Sequence, residues 1–175
     1  MEEFAYTDGL IIDLRQYPSW FIPFELAEYL IPDSTHFVTM SAPTQSKPGV
    51  FVDSFWGHSG GITSPYAYFF DRNVVILMNE MTQSQAEYTI MSLRNGPNVT
   101  VMGTNSIGAN GDVTTLSLLG NISLWFTGLG VYTPQGGQTQ RIGLSPDIYV
   151  HRTIAGIAEG RDELMKAAIA FLLQP

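Results

Sequence analysis

Five consecutive apolar residues, Val74-Val75-Ile76-Leu77-Met78, run within a few positions into a segment with helical signals. An unbroken apolar run of this length puts side chains on both faces of a strand. It needs cover above and below, as in a parallel sheet layered by helices. Gly9-Leu10-Ile11-Ile12-Asp13-Leu14-Arg15 has the same character, four apolar residues and then a polar end, and Val99-Thr100-Val101-Met102 reads as another strand. Helical stretches alternate with these strands. Residues 21–30 are amphipathic and closed by Pro32, residues 83–94 stop at Asn95-Gly96-Pro97, and residues 161–173 carry Leu164, Ala168, Phe171 and Leu172 on one face. The alternation predicts an α/β layered fold.

The remaining segments fill in that plan. Residues 36–40 read as a strand, 41–48 as a Ser/Thr/Pro/Gln-rich loop, and 54–65, with Gly57-His58-Ser59-Gly60-Gly61, as a flexible segment. A tight Gly-rich turn is expected over 106–111. Two or three strands follow between 113 and 132, with Gly120-Asn121 as the hairpin turn, and then a short strand over 146–150. With no repeat, low-complexity tract or linker, residues 1–175 are expected to form a single domain.

Composition excludes several functions. A net charge of −8, with 8 Lys and Arg scattered singly, argues against a phosphate-backbone interface, so no nucleic-acid partner is expected. The absence of cysteine removes disulfides, thiolate metal ligands and Cys catalysis. No apolar run approaches membrane-spanning length, and the N-terminal Met1-Glu2-Glu3-Phe4-Ala5-Tyr6 lacks the basic and apolar regions of a signal peptide. The chain runs almost at once into a strand, which suggests a piece of a longer protein.

The chemistry concentrates in Thr82-Gln83-Ser84-Gln85-Ala86-Glu87. Thr82 and Gln85 fit a capping box, with Thr82 capping the helix and Gln85 reaching back to it. Ser84 then falls in the first helical turn, where free N–H groups and the helix dipole can stabilise an alkoxide or a developing oxyanion. Ser84 is thus either a nucleophile at a strand-to-helix turn or simply a residue suited to the start of a helix. His36, His58 and His151 have no partners at metal-ligand spacing, so neither metal nor cofactor is expected. His58, in its Gly-rich segment, is a general base only if the fold brings it to Ser84. The Gly-x-Ser-x-Gly elbow of other hydrolases is absent, and neither Gly-rich segment ends in the Gly-Lys-Ser/Thr of a phosphate loop.

In combination these segments resemble the C-terminal processing (tail-specific) serine peptidases, most closely their tricorn-like branch. The carriers are residues 9–15; residues 74–87; Val101-Met102-Gly103 through Gly108-Ala109-Asn110-Gly111; Tyr132-Thr133-Pro134; and Gly143-Leu144-Ser145-Pro146-Asp147-Ile148. The run from Thr153 to Glu163 also resembles bacterial members. The resemblance implies a Clp-protease/crotonase-like layered sheet flanked by helices and a peptide or protein substrate. It also implies a periplasmic or secreted location.

On this resemblance Ser84 is the nucleophile and the Gln85 N–H one oxyanion donor. The second donor comes from the turn after the first strand. Pro18 has no N–H, which leaves Ser19 or Trp20. Gly108 and Ala109 are placed in the binding groove, and Ala109 stands where the Ser–Lys branch carries its lysine. Gln140 is the nearest match to the glutamate of the tricorn-like branch, and an amide there can orient a group but carries no charge. The general base is then expected from an N-terminal part outside this chain, so that the isolated chain folds without activity. A homo-oligomer is possible. The alternatives are a non-catalytic module that binds a peptide or lipid-like ligand beside Ser84 and, less in keeping with the Ser84 and Pro-Asp segments, an acyl-CoA enzyme of the crotonase type.

Overall fold

The computed structural model describes residues 2–63 and 67–174. Its centre is a four-stranded, wholly parallel sheet in the order β1-β4-β5-β9, formed by β1 (Gly9–Asp13), β4 (Asn73–Met78), β5 (Val99–Gly103) and β9 (Ile148–Tyr149). The apolar run is split between the two faces. Val74, Ile76 and Met78 join a core with Phe37, Val38, Ala86, Ile90 and Leu93. Val75 and Leu77 face the opposite way, onto Met102, Leu164 and Ala168. All five are essentially inaccessible to solvent, as expected for a strand covered on both sides.

Helices α1 (Pro23–Leu30) and α2 (Gln85–Leu93) pack together on the first face, and α4 (Glu163–Leu172) lies on the second. Above α1 and α2 sits an antiparallel sheet in the order β3-β2-β8, from β2 (Thr35–Pro43), β3 (Phe51–Ser59) and β8 (Gly130–Tyr132). The hairpin of β6 (Val113–Leu118) and β7 (Ile122–Thr127) stands apart as a two-stranded sheet. Leu116, Leu118, Ile122, Leu124 and Phe126 lie on one face of this hairpin, each about half exposed. Its turn holds Gly120 and Asn121 at positive φ, as the hairpin signal predicts. A short helix, α3 (Ile154–Ala158), is capped by the Thr153 hydroxyl, which accepts from the Gly156 N–H.

Three expectations change. Residues 41–43 extend β2 instead of opening a loop, because Ser41, Ala42 and Pro43 pair with Asp53, Val52 and Phe51. The first half of the supposedly flexible segment 54–65 is strand: residues through Ser59 belong to β3, and His58 sits opposite His36 with ring centroids 5.2 Å apart. Residues 64 and 65 of that segment lie outside the described residues. The third change concerns the helix cap beside Ser84, taken up below.

Gly103 shows how tightly the central strands meet. Its φ is +137°, and a Cβ there would lie 1.8 Å from the Met78 carbonyl oxygen. Only glycine lets β5 turn away from the end of β4, at the point where the Ser84 segment begins.

Candidate active site

The link from β4 to α2 is held by its own polar groups. Thr82, fully buried, donates its hydroxyl to the Leu14 carbonyl at 2.9 Å and accepts from the Asn79 N–H at 2.9 Å. Thr82 therefore ties the end of β1 to the turn after β4 and does not cap the helix. Ser84 is the N-cap residue, with Glu87 completing the capping box: Glu87 Oε2 accepts the Ser84 N–H at 3.1 Å. The pattern Ser/Thr-x-x-Glu/Gln occurs twice in this stretch, at Thr82–Gln85 and at Ser84–Glu87. The fold uses the second, because Thr82 is drawn into the core by Leu14.

Ser84 adopts φ 51° and ψ −117°, an unusual conformation for a residue with a Cβ. Such strain, of the order of 1–3 kcal/mol, persists only where the surroundings impose it. Here they do. The Ser84 N–H donates to the Ala109 carbonyl at 2.9 Å as well as to Glu87, and the Thr82 carbonyl accepts from the Ile107 N–H at 3.1 Å. Tyr88 N–H closes the first helical turn onto the Ser84 carbonyl at 2.9 Å.

Glu87 is the internal anchor of this turn. Fully buried, its carboxylate accepts from the Ser106 hydroxyl at 2.5 Å, the Gly108 N–H at 3.0 Å and the Ser84 N–H, with the Ala109 N–H also bonded to it. Burial pushes its pKa above the usual carboxylate range, and these donors offset only part of that rise. Ser106 accepts in turn from the Leu144 N–H at 2.7 Å. Gly108 is held at φ +74°, and a Cβ there would lie 2.7–3.0 Å from the backbone nitrogens of Gly143, Ile142 and Arg141. The Gly-rich turn is thus a rigid backing for Ser84.

Ser84 opens onto a cleft of about 410 Å³, lined also by Gln85, Tyr88, Asn110 and Asp112, with Tyr17, Phe21, Met40 and Phe55 as apolar walls. The Gln85 N–H, at the first position of α2, has no partner among the described residues and is free to donate to an oxygen placed beside Ser84. The Gln85 side chain reaches across the cleft mouth and donates Nε2 to the Trp20 carbonyl at 2.6 Å, fastening the 16–22 loop to the helix start.

A family description, Peptidase family S41, matches residues 1–150. The chain belongs to peptidase family S41.

Two curated relatives are carboxy-terminal-processing proteases. The one from Bartonella bacilliformis is 33% identical over 93 residues, covering 53% of this chain and 21% of that protein. The one from Synechocystis sp. is 25% identical over 155 residues, covering 87% of this chain and 33% of that protein. The chain therefore spans a fifth to a third of the length of these curated relatives. Among solved structures, a candidate peptidase from Parabacteroides merdae superposes with a TM-score of 0.85 at 23% identity, covering 99% of this chain and 54% of that one. The tricorn protease superposes with a TM-score of 0.65 at 17% identity, covering 97% of this chain and 15% of that one. These two likenesses show the shared fold.

Against the S41 resemblance, the structure brings Ser84 and Gln85 together and sets the other expected residues further off. Trp20 meets Gln85 through its carbonyl, while its indole is exposed. Ser19 is exposed and does not line the cleft. Gly108 and Ala109 support Ser84 from behind and line a neighbouring depression of about 560 Å³ with Gln140 and Arg141. The Gln140 amide is bound to backbone on every side: Nε2 donates to the carbonyls of Leu129 at 2.6 Å and Asn110 at 3.3 Å, and Oε1 accepts from the Val131 N–H at 3.0 Å. His58 is not among the cleft-lining residues, and His36 bonds within its own sheet, to the Val38 carbonyl and the Thr39 hydroxyl.

Sequence reasoning did not single out Glu87, Tyr88, Asn110 or Asp112. For Glu87 the second capping-box match was a usable signal. The aromatic walls come from the 16–22 loop, β3 and α2, three separate parts of the chain, and no local pattern announces them. Among the described residues no cluster of His, Asp and Glu could hold a metal, and no helix is long and apolar enough to cross a membrane.

Proposed function

We propose that this chain supplies the nucleophile and part of the oxyanion hole of a serine endopeptidase of the C-terminal processing type. The observation that supports this most is the strained Ser84 at the N-terminus of α2, beside the free Gln85 N–H and open to an apolar cleft. Ser84 Oγ adds to a peptide carbonyl carbon while a base takes its proton. The oxyanion accepts from the Gln85 N–H and from a donor in the 16–22 loop, where Ser19 and Trp20 are the candidates. Collapse breaks the C–N bond, the amine leaves with the proton, and water hydrolyses the acyl-enzyme.

The base comes from outside these residues, since neither histidine nor lysine lines the cleft among the described residues. Gln140 then acts as a positioning residue that shapes the cleft through Asn110. The same reading makes residues 1–175 one catalytic core of a longer protein, at work in the periplasm or outside the cell. Homo-oligomerisation has a surface available in the apolar face of the β6–β7 hairpin.

A fluorophosphonate probe with mass spectrometry tests this reading on the longer protein and on this chain. An adduct on Ser84 in the longer protein alone supports an activated serine with an external base. Peptide hydrolysis by the isolated chain, abolished by Ser84→Ala, would disprove the external base. No adduct in the folded longer protein would favour the second reading, a binding module. What favours that alternative is the Gln140 amide, whose bonds to Leu129, Asn110 and Val131 occupy it fully with structure.

A further inference from the structure

The cleft beside Ser84 has an unequal charge. Asp112 is the only ionisable carboxyl among its lining residues, and it has no ion pair or hydrogen bond among the described residues. The basic side chains of the protein are engaged or placed elsewhere. Arg15 pairs with Asp13 and Asp162, Arg94 with Asp147, Arg152 with Glu80 and Arg161 with Glu159, while Arg141 lines the neighbouring depression. Asp112 acts on the cleft interior: together with the larger effect of burial, its charge holds the Tyr88 phenol above its ordinary pKa.

The walls suit a long side chain with a cationic end. Tyr17, Phe21 and Phe55 present partly exposed rings, and Met40 adds an adaptable apolar surface. Phe21 packs on Tyr88 with ring centroids 5.8 Å apart, so the two rings form one continuous wall. A methylene stem can lie along that wall while its charged head meets a carboxylate and aromatic faces. An acidic side chain would meet Asp112 with nothing to neutralise either charge.

We propose that Asp112 is a specificity residue, and that the cleft beside Ser84 selects a peptide with a lysine or arginine next to the bond presented to Ser84. The proposal rests on the peptidase reading for which bond is presented, and on the cleft alone for the preference itself.

The test is peptide binding without turnover. The Ser84→Ala protein is titrated into fluorescent peptides blocked at both ends and identical except for a central Lys, Arg, norleucine or Glu. Anisotropy should show Lys and Arg binding about threefold tighter than norleucine, the scale of a solvent-accessible ion pair, with Glu weakest. The Lys preference should shrink with added salt. Asp112→Asn should bring the Lys peptide to the level of the norleucine peptide, and Asp112→Lys should invert the order of Lys and Glu. Equal binding of Lys and norleucine, a Lys preference that survives Asp112→Asn, or no saturable binding by any peptide overturns the proposal. The fluorophosphonate result separates the two ideas. A Lys preference without an adduct on Ser84 keeps the pocket and removes the peptidase. An adduct without a Lys preference does the reverse.

Discussion

Replacing Glu87 should destabilise this protein far more than a typical surface glutamate would, by an amount that can be worked from its bonds. Glu87→Ala removes the acceptor for four donors: the Ser106 hydroxyl and the N–H groups of Ser84, Gly108 and Ala109. Ser84 keeps the Ala109 carbonyl, and Ser106 keeps its bond from Leu144 and can rotate. The buried Gly108 N–H is left without a replacement, whereas Ala109 is exposed and its N–H can turn to water. One orphaned buried donor at about 1–3 kcal/mol, plus the cavity left by the side chain, gives a loss of about 2–4 kcal/mol, or a fall in Tm of roughly 10 °C.

Glu87→Gln retains the volume and one carbonyl oxygen, so its cost should be about 1–2 kcal/mol. The two variants also differ from the wild type in pH dependence. Because burial raises the native pKa of Glu87 above its ordinary 4.5, folding takes up a proton there. Its contribution is full below pH 4.5 and is lost as pH rises through the native value. The neutral Gln cannot titrate, so the deficit of Glu87→Gln should be largest below pH 4.5 and shrink toward neutrality. Urea unfolding followed by tryptophan fluorescence at pH 4 and pH 7 reads both effects. A Glu87→Ala cost below about 1 kcal/mol, or a Glu87→Gln deficit that grows toward neutral pH, would refute the reasoning.

Further consequences concern backbone strain and one ion-pair cluster. Ser84→Gly should be more stable than Ser84→Ala by about 1 kcal/mol in chemical denaturation, since only glycine relieves the positive φ, and neither should react with a fluorophosphonate. Gly103→Ala should fail to give a cooperative unfolding transition, because its methyl carbon would fall 1.8 Å from the Met78 carbonyl; a stable variant would mean that β5 can shift away from β4. Hydrogen bonding to Arg15 holds Asp13 below its ordinary 3.8, so the stability it contributes is present above pH 3.8 and lost as pH falls through the lower native value. Arg15→Ala should therefore flatten the acid limb of a stability–pH curve, and an unchanged limb would show that the pair at 2.6 Å carries no net energy.

The legible parts of this chain are those set by local periodicity. The run from Val74 to Met78 could only be a strand covered on both faces, and its split between two cores follows from the alternation of side chains along a strand. The turn at Gly120-Asn121 was equally local. Residues 41–43 and 54–59 read as loop and flexible segment because their strand character comes from pairing with other segments, 41–43 with 51–53 and 55–59 with 35–40, while Gly57, Gly60 and Pro43 advertise a loop.

At the site, the sequence by itself determined where a nucleophile could stand. A strand end, a short turn and a helix start put Ser84 among free N–H groups wherever the rest of the chain goes. Tertiary structure decided what that position can do. It moved the cap from Thr82 to Ser84 by pulling Thr82 toward Leu14, and it imposed the strained φ through Ala109 and Glu87. It also assembled the cleft from Tyr17, Phe21, Met40, Phe55, Tyr88 and Asp112, and engaged Gln140 with three backbone groups. Each of these depends on contacts between residues distant in the chain. Their strength comes from burial, which local sequence does not encode.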